Sequence, residues 1–188
     1  MKTLIFNGSP RKNGGTATLI NYLKNYIPGE ITTIDSYQAD ISPCVDCRCC
    51  WTNDRCVLTD EMQNVYRLID QADNIIIASP IYFAELTGSL LSLMSRLQYL
   101  WVARKFRTEV LSQKQRSGAL ILVDAGEGYI NTAMAMGKRL LRIMKADFIG
   151  SVYCSGTENV PKSDTIVPEH IFAEIKELSL SLIASHVK

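Results

Sequence analysis

Cys44, Cys47, Cys49, Cys50 and Cys56 fall within thirteen positions of one another, and the sixth cysteine, Cys154, stands apart. The spacing Cys44-x2-Cys47-x2-Cys50 puts three sulfurs in one tight turn, and Cys56, after five intervening residues, can close a set of four. Three chemistries fit that set. A [4Fe–4S] cluster needs four converging thiolates, and similar tight spacing is used to supply them. Unligated thiols would stay reduced and form a redox disulfide on oxidation. A four-cysteine zinc site is the third, although zinc ribbons normally set their two C-x2-C knuckles further apart. Cys49 is then a spare, and Cys154, in a predicted strand, reads as a small buried hydrophobe.

A second group of residues suits a phosphate. Asn7-Gly8-Ser9-Pro10-Arg11-Lys12-Asn13-Gly14-Gly15-Thr16 follows a predicted strand and precedes a predicted helix. Its glycines let the backbone turn tightly and approach a ligand. Ser9 and Thr16 supply hydroxyls, Arg11 a fork of donors, and the helix N-terminus free N–H groups with a positive dipole end. No lysine precedes Thr16 and there is no G-x-G-x-x-G, so the loop is neither an ATP-binding Walker sequence nor a Rossmann fingerprint. A plain strand-to-helix turn would use the same residue types. Position favours the phosphate, because ligands of open α/β sheets sit beyond the carboxyl ends of the strands.

Two more loops follow strands at that same predicted edge. Ser79-Pro80-Ile81-Tyr82-Phe83 offers a turn stiffened by Pro80, aromatic faces and backbone amides to a flat heteroaromatic ring. Asp124-Ala125-Gly126-Glu127-Gly128-Tyr129 brings two glycines, read equally well as ligand contact and as a simple turn.

The elements that must position these loops are legible as five short apolar runs, Thr3–Phe6, Glu30–Ile34, Asn74–Ala78, Ala119–Val123 and Phe148–Cys154. Three of them do not alternate, as expected of strands buried on both faces of a parallel sheet. Helix-period segments lie between and after them. They are Leu19 to Ile27; Met62 to Ala72, with Thr59 as N-cap; Leu86 to Trp101; Ala133 to Met144; and Ile171 to Leu182, opened by Pro168. Strand then helix, five times, predicts an open α/β sheet with helices on both faces. The interval between the second and third strands is too long for one crossover helix, and the excess, about 36–58, is the cysteine-rich loop. Residues 1–188 are therefore expected to form a single domain carrying that insertion.

Composition narrows the classes. Of 188 residues, 47% are hydrophobic and 21% charged, which excludes disorder as the main state. A net charge of +1 argues against a nucleic-acid partner, whose basic face should show in the total. The longest uncharged runs, 13–23 and 74–84, are too short for a span of about 20 residues, so no membrane segment is expected. Polar Asn7-Gly8 follows the first apolar run too soon for a secretory signal, so a reducing cytoplasm is the expected location. His170 and His186 lie in or beside the last helix and carry no assigned role.

Gly8-Ser9-Pro10-Arg11 with Gly14 to Thr16, followed by Ser79-Pro80-Ile81-Tyr82-Phe83, resembles the flavodoxin-like NAD(P)H-dependent FMN reductase family. Cys44-x2-Cys47-x2-Cys50-x5-Cys56 with Asp60-Glu61-Met62 resembles its iron–sulfur flavoprotein branch. The resemblance runs from Lys2 to the last helix. It implies noncovalent FMN, its phosphate held by Ser9, Arg11, Gly14, Gly15 and Thr16. Pro80, Ile81, Tyr82 and Phe83 would line the isoalloxazine, with Gly126 beside it. The family usually reads Gly-Asn-Thr where this chain reads Gly14-Gly15-Thr16, which removes one side-chain amide. Metal ligation at Cys44, Cys47, Cys50 and Cys56 follows from the branch.

The implied fold is a doubly wound five-stranded parallel sheet of order 2-1-3-4-5. The implied activity moves a hydride from NAD(P)H through FMN to a quinone, a flavin or a similar small acceptor, in a homodimer or homotetramer. One alternative moves electrons from ferredoxin through a [4Fe–4S] cluster to FMN; another is a non-catalytic flavin-binding regulator. A plain flavodoxin carrier would be strongly acidic, unlike this chain. The cofactor carries such chemistry, so no acid–base triad is required. The Cys49-x5-Arg55 spacing also resembles a tyrosine-phosphatase loop, but it does not join a strand directly to a helix.

Overall fold

A computed structural model describes residues 1–107, 114–126, 129–156 and 167–186. Five strands run parallel: β1 (Lys2–Asn7), β2 (Glu30–Asp35), β3 (Asn74–Tyr82), β5 (Arg116–Val123) and β6 (Ala146–Cys154). A sixth, β4 (Glu85–Leu86), pairs antiparallel with the end of β3, so the order is β2-β1-β3-β5-β6 with β4 beside β3. The expected five-strand order is corrected by that extra strand. Two residues carry no periodic signal, which is why β4 escapes a reading of the sequence.

The apolar runs do not alternate because both faces are covered. Leu4, Phe6, Ile75, Ile77, Leu120 and Leu122 point to one face. There they pack against α3 (Met62–Gln71), α4 (Gly88–Met94), α5 (Gln98–Phe106) and α6 (Asn131–Ile143). The residues between them, Ile5, Ile76, Ala78, Ala119, Ile121 and Val123, point to the other. They meet α1 (Gly15–Lys24) and α7 (Glu169–Ala184). Successive strand residues face opposite ways, so two helix layers demand a continuous apolar run. Cys154 is fully buried in the second layer, as its sequence context predicts.

Two local expectations change. Thr59 does not cap α3; Asp60 Oδ1 accepts the Met62 N–H at 3.1 Å instead. The helix expected over Leu86 to Trp101 is broken into α4 and α5 by a 3₁₀ turn, Ser95–Leu97. The insertion after β2 carries one short helix, α2 (Cys49–Thr52). No helix among the described residues is long and apolar enough to cross a membrane.

At the amino-terminal edge of the sheet Arg116, 2% exposed, closes the C-terminus of α3. It donates to the carbonyls of Ile69 (2.8 Å), Asp70 (2.7 Å) and Lys114 (3.0 Å). Arg116→Met would strand the buried Ile69 carbonyl and remove the donor from two part-buried ones. It is expected to lower stability by about 3 kcal/mol, read as a lower urea midpoint with an unchanged slope.

Candidate functional site

The strand register brings the first three loops together. Asn7, the last residue of β1, lies opposite Ala78, and Ala78 lies opposite Ile121. Gly8 is the joint: its N–H donates to the Ala78 carbonyl at 2.8 Å, and its carbonyl accepts from Thr87 Oγ1 at 2.8 Å. A Cβ on Gly8 would stand 2.7 Å from Ser79 Oγ and 2.9 Å from Leu90 Cδ2. Only glycine lets the first loop lie this close to the end of β3.

Beyond Gly8 the loop folds on its own polar groups. The Ser9 N–H donates to Asn7 Oδ1 (3.0 Å), and the Arg11 N–H donates to Ser9 Oγ (3.2 Å). Gly14 packs against the Arg11 side chain, and the Thr18 N–H returns to the Gly14 carbonyl at 3.0 Å. The N–H groups of Gly15, Thr16 and Ala17 therefore point out of the first turn of α1 with no protein acceptor among the described residues. Ser9 and Thr16 are buried beside them and Arg11 is exposed. Arg11, Lys12 and Lys24 line an adjoining cavity of about 330 Å³ against the single carboxylate of Asp35. Unpaired N–H groups, a helix dipole and excess positive charge are a donor set that fits the phosphate of FMN.

Pro80 does not form the second loop's turn. It lies within β3 opposite Val123. Pairing with β1 ends at Ala78 and pairing with β4 begins at Ile81, so Pro80 itself is in register only with β5 and a residue without N–H is tolerated there. The reversal falls at Phe83 and Ala84, with φ of +54° and +65°. Left-handed backbone is costly without glycine, and the Ala133 N–H of α6 holds the Ala84 carbonyl at 3.1 Å. Pro80 and Ile81 are half-buried, Tyr82 is exposed, and Phe83 stands at 102% exposure, leaving an aromatic edge open to a ring.

In the third loop Gly126 has φ of +130°, which requires glycine. Glu127 and Gly128 lie outside the described residues. Asp124, which residue spacing alone does not single out, is buried at this edge and accepts from the Tyr153 hydroxyl at 2.5 Å. Burial and that carboxylate push the Tyr153 pKa up to about 12.

The cysteine loop forms a second site against the 3₁₀ turn and α5. Cys44, Cys47, Cys50 and Cys56 line one cavity of about 470 Å³ with Arg96, Trp51 and Tyr99. Cys49 is not part of that lining; its sulfur accepts from Asn53 Nδ2 at 3.7 Å. Burial pushes the Cys50 thiol up, a backbone N–H opposes this, and the charges of Cys56, Cys44 and Cys47 push it up further. All six cysteines are free thiols. Among the described residues no three Cys, His, Asp or Glu side chains converge as one bound metal ion would require. A cubane spreads its four sulfur ligands over four irons, so four thiols around one larger cavity fit the cluster's donor set.

Sequence spacing misses the residues that hold this loop. Arg96, 1% exposed, donates to Asp60 Oδ2 (2.5 Å), the Ser42 carbonyl (3.0 Å) and Cys56 Sγ (3.3 Å). Tyr99 Oη donates to the Asp54 carbonyl at 2.7 Å, and Arg107 donates to the carbonyls of Cys50 and Asn53. The one available signal is that Arg96 sits three residues after Leu93 and beside Leu97, at the border of an apolar helix stripe.

The chain is similar to known proteins. The family described as NADPH-dependent FMN reductase matches residues 1–158. A protein named iron–sulfur flavoprotein from Methanocaldococcus jannaschii is 32% identical over 113 residues, 58% of each chain. Another of that name from Archaeoglobus fulgidus is 28% identical over 152 residues, 76% of this chain and 72% of its own. The chain spans about half the length of the first curated relatives it matches. Among solved structures, an FMN-dependent NADH-azoreductase from Bacillus anthracis in complex with FMN superposes with a TM-score of 0.66. It is 20% identical, with 97% of this chain and 99% of that one covered, and likeness at that identity speaks for the fold.

Proposed function

Because the chain belongs to the NADPH-dependent FMN reductase family, we propose that it is an FMN-dependent oxidoreductase that passes electrons from NAD(P)H to a quinone, a flavin or a similar small acceptor. The observation that carries this reading is the convergence of Ser9–Thr16, Pro80–Phe83 and Gly126 on one sheet edge. Bound FMN would supply hydride acceptance from the nicotinamide and onward delivery of the electrons. The protein's part is placement. Gly15 and Thr16 present N–H groups to the phosphate, and Arg11 adds charge. Ser9 fixes the loop by bonding its backbone. Pro80, Ile81, Tyr82 and Phe83 offer the ring an apolar edge, and Gly126 allows close backbone approach.

Purified protein is expected to be yellow, and NADH or NADPH should bleach it under anaerobic conditions. Retained FMN that neither nicotinamide reduces would overturn the enzyme reading and favour a flavin-binding regulator. A homodimer or homotetramer belongs to the same proposal and is read by sedimentation.

A second reading is favoured by the shared cavity of Cys44, Cys47, Cys50 and Cys56 and the exclusion of Cys49 from it. In it the four thiolates hold a [4Fe–4S] cluster, and a ferredoxin is an electron partner. Iron and sulfide at about four per chain after anaerobic purification, the cubane stoichiometry, would support it.

A further inference from the structure

The first and last of the four cysteines are fixed by adjacent residues of the 3₁₀ turn that separates α4 from α5. Ser95 Oγ accepts the Cys44 N–H at 2.9 Å and donates to the Ser92 carbonyl at 2.6 Å. Arg96 then reaches the other end of the set. Its Nη2 donates to Cys56 Sγ at 3.3 Å and to the Leu58 carbonyl at 3.4 Å. Its Nη1 bonds Asp60 and the Ser42 carbonyl, which anchors the guanidinium from the opposite side. Its Nε is buried with no partner among the described residues. A short stretch of 3₁₀ inside a helical segment commonly marks strain or function, and here it falls at the two residues that grip the cysteine loop.

An arginine this deeply buried is costly unless it is paired and hydrogen-bonded. One carboxylate, Asp60, balances its charge, but the fork continues past Asp60 to a thiol. A planar guanidinium can span two acceptors in fixed geometry, which a lysine ammonium cannot copy. Hydrogen bonds to ligand sulfurs, net charge and solvent exposure set the potential of an iron–sulfur cluster. A donor to sulfur and a nearby cation both favour the more negative, reduced state.

We infer that Arg96 is a positioning residue of the four-cysteine site, holding Cys56 in place as the fourth ligand and raising the electron affinity of a cluster bound there. This rests on the second reading above, in which Cys44, Cys47, Cys50 and Cys56 hold a [4Fe–4S] cluster.

The test compares wild type, Arg96→Lys and Arg96→Met after anaerobic reconstitution with ferrous iron and sulfide. The cluster potential is measured by dye-mediated titration, and FMN content and melting temperature are recorded alongside. Arg96→Met is expected to bind the electron roughly tenfold more weakly, a negative shift of about 59 mV for one electron. Arg96→Lys keeps the charge without the fork and should fall between the two. If Arg96→Met does not fold, the lysine variant carries the comparison. A loaded variant with the wild-type potential overturns the role of Arg96 and leaves the cluster reading standing. A wild-type protein that keeps its FMN but takes up no iron overturns the cluster reading, and the inference with it.

Discussion

Gly8→Val is expected to strip the protein of FMN and to cost about 3 kcal/mol of stability, the upper end of what overpacking a filled site costs. The added Cβ alone would sit 2.7 Å from Ser79 Oγ, 2.9 Å from Leu90 Cδ2 and 3.0 Å from Thr87 Oγ1. None of these atoms can step aside cheaply. Ser79, Thr87 and Leu90 are fully buried; Ser79 Oγ is bonded to the Pro80 carbonyl, and Thr87 Oγ1 to Gly8 itself. The strain must move the loop, and the N–H groups of Gly15 and Thr16 move with it. FMN affinity should fall at least about tenfold, or 1.4 kcal/mol, measured by fluorescence titration of apoprotein. Gly88→Ala is the control. Nothing lies within 4 Å of its added Cβ, and Gly88 opens α4. That change should be neutral or stabilising by up to about 1 kcal/mol. Equal damage from both substitutions would sink the argument from the joint at Gly8.

The contrast between these two glycines shows what a sequence reveals and where it stops. Gly8, Gly14 and Gly15 announce a loop that turns tightly, and the unbroken runs Leu4 to Phe6 and Ile75 to Ala78 announce a sheet covered on both faces. Those are local signals, written in residue type and period. That Gly8 abuts Ser79 is a contact across 71 positions, and no spacing rule encodes it. The same division holds at the cysteines. Their spacing picks out Cys44, Cys47, Cys50 and Cys56 and sets Cys49 aside, as the cavity does. The arginine beneath them shows only as a residue at the border of an apolar stripe, because an arginine in a helical segment reads as a solvated face. Arg96 is buried by Ser42 and Cys56, which arrive from an insertion with no period of its own, and by Asp60 just beyond it. The misread positions, Thr59, Pro80 and β4, lie at element ends, where tertiary pairing overrides local preference.

Asp60→Asn is expected to cost about 3 kcal/mol at neutral pH, because removing one partner of a buried pair leaves the other charge uncompensated. Asp60 accepts from Arg96 Nη1, from the Ser42 N–H at 3.1 Å and from the Met62 N–H at 3.1 Å. Burial by itself would raise this carboxyl's pKa. The bond from Arg96 and the two backbone N–H groups outweigh it and hold the pKa below the usual carboxylate range. A pKa lower in the folded than in the unfolded chain fixes the sign of the pH effect. The contribution is complete above the unfolded value near 4 and drains away as pH falls through the folded value. The gap in urea stability between wild type and Asp60→Asn should therefore be constant from about pH 7 to 5 and narrow below about pH 4. A gap that stayed constant down to pH 3 would show that the charge of Asp60 is not what matters. Asp70 beside Arg116 is the counter-case. Its side chain is 48% exposed, and Arg116 is held mainly by carbonyls. Solvent screens that pair, so Asp70→Asn should change stability by less than about 1 kcal/mol. If both asparagine variants lost the same stability, the differing exposure of the two carboxylates would not be the cause. If only Asp60→Asn does, the desolvated Arg96–Asp60 pair carries more of the loop's attachment than its carbonyl bonds to Tyr99 and Arg107.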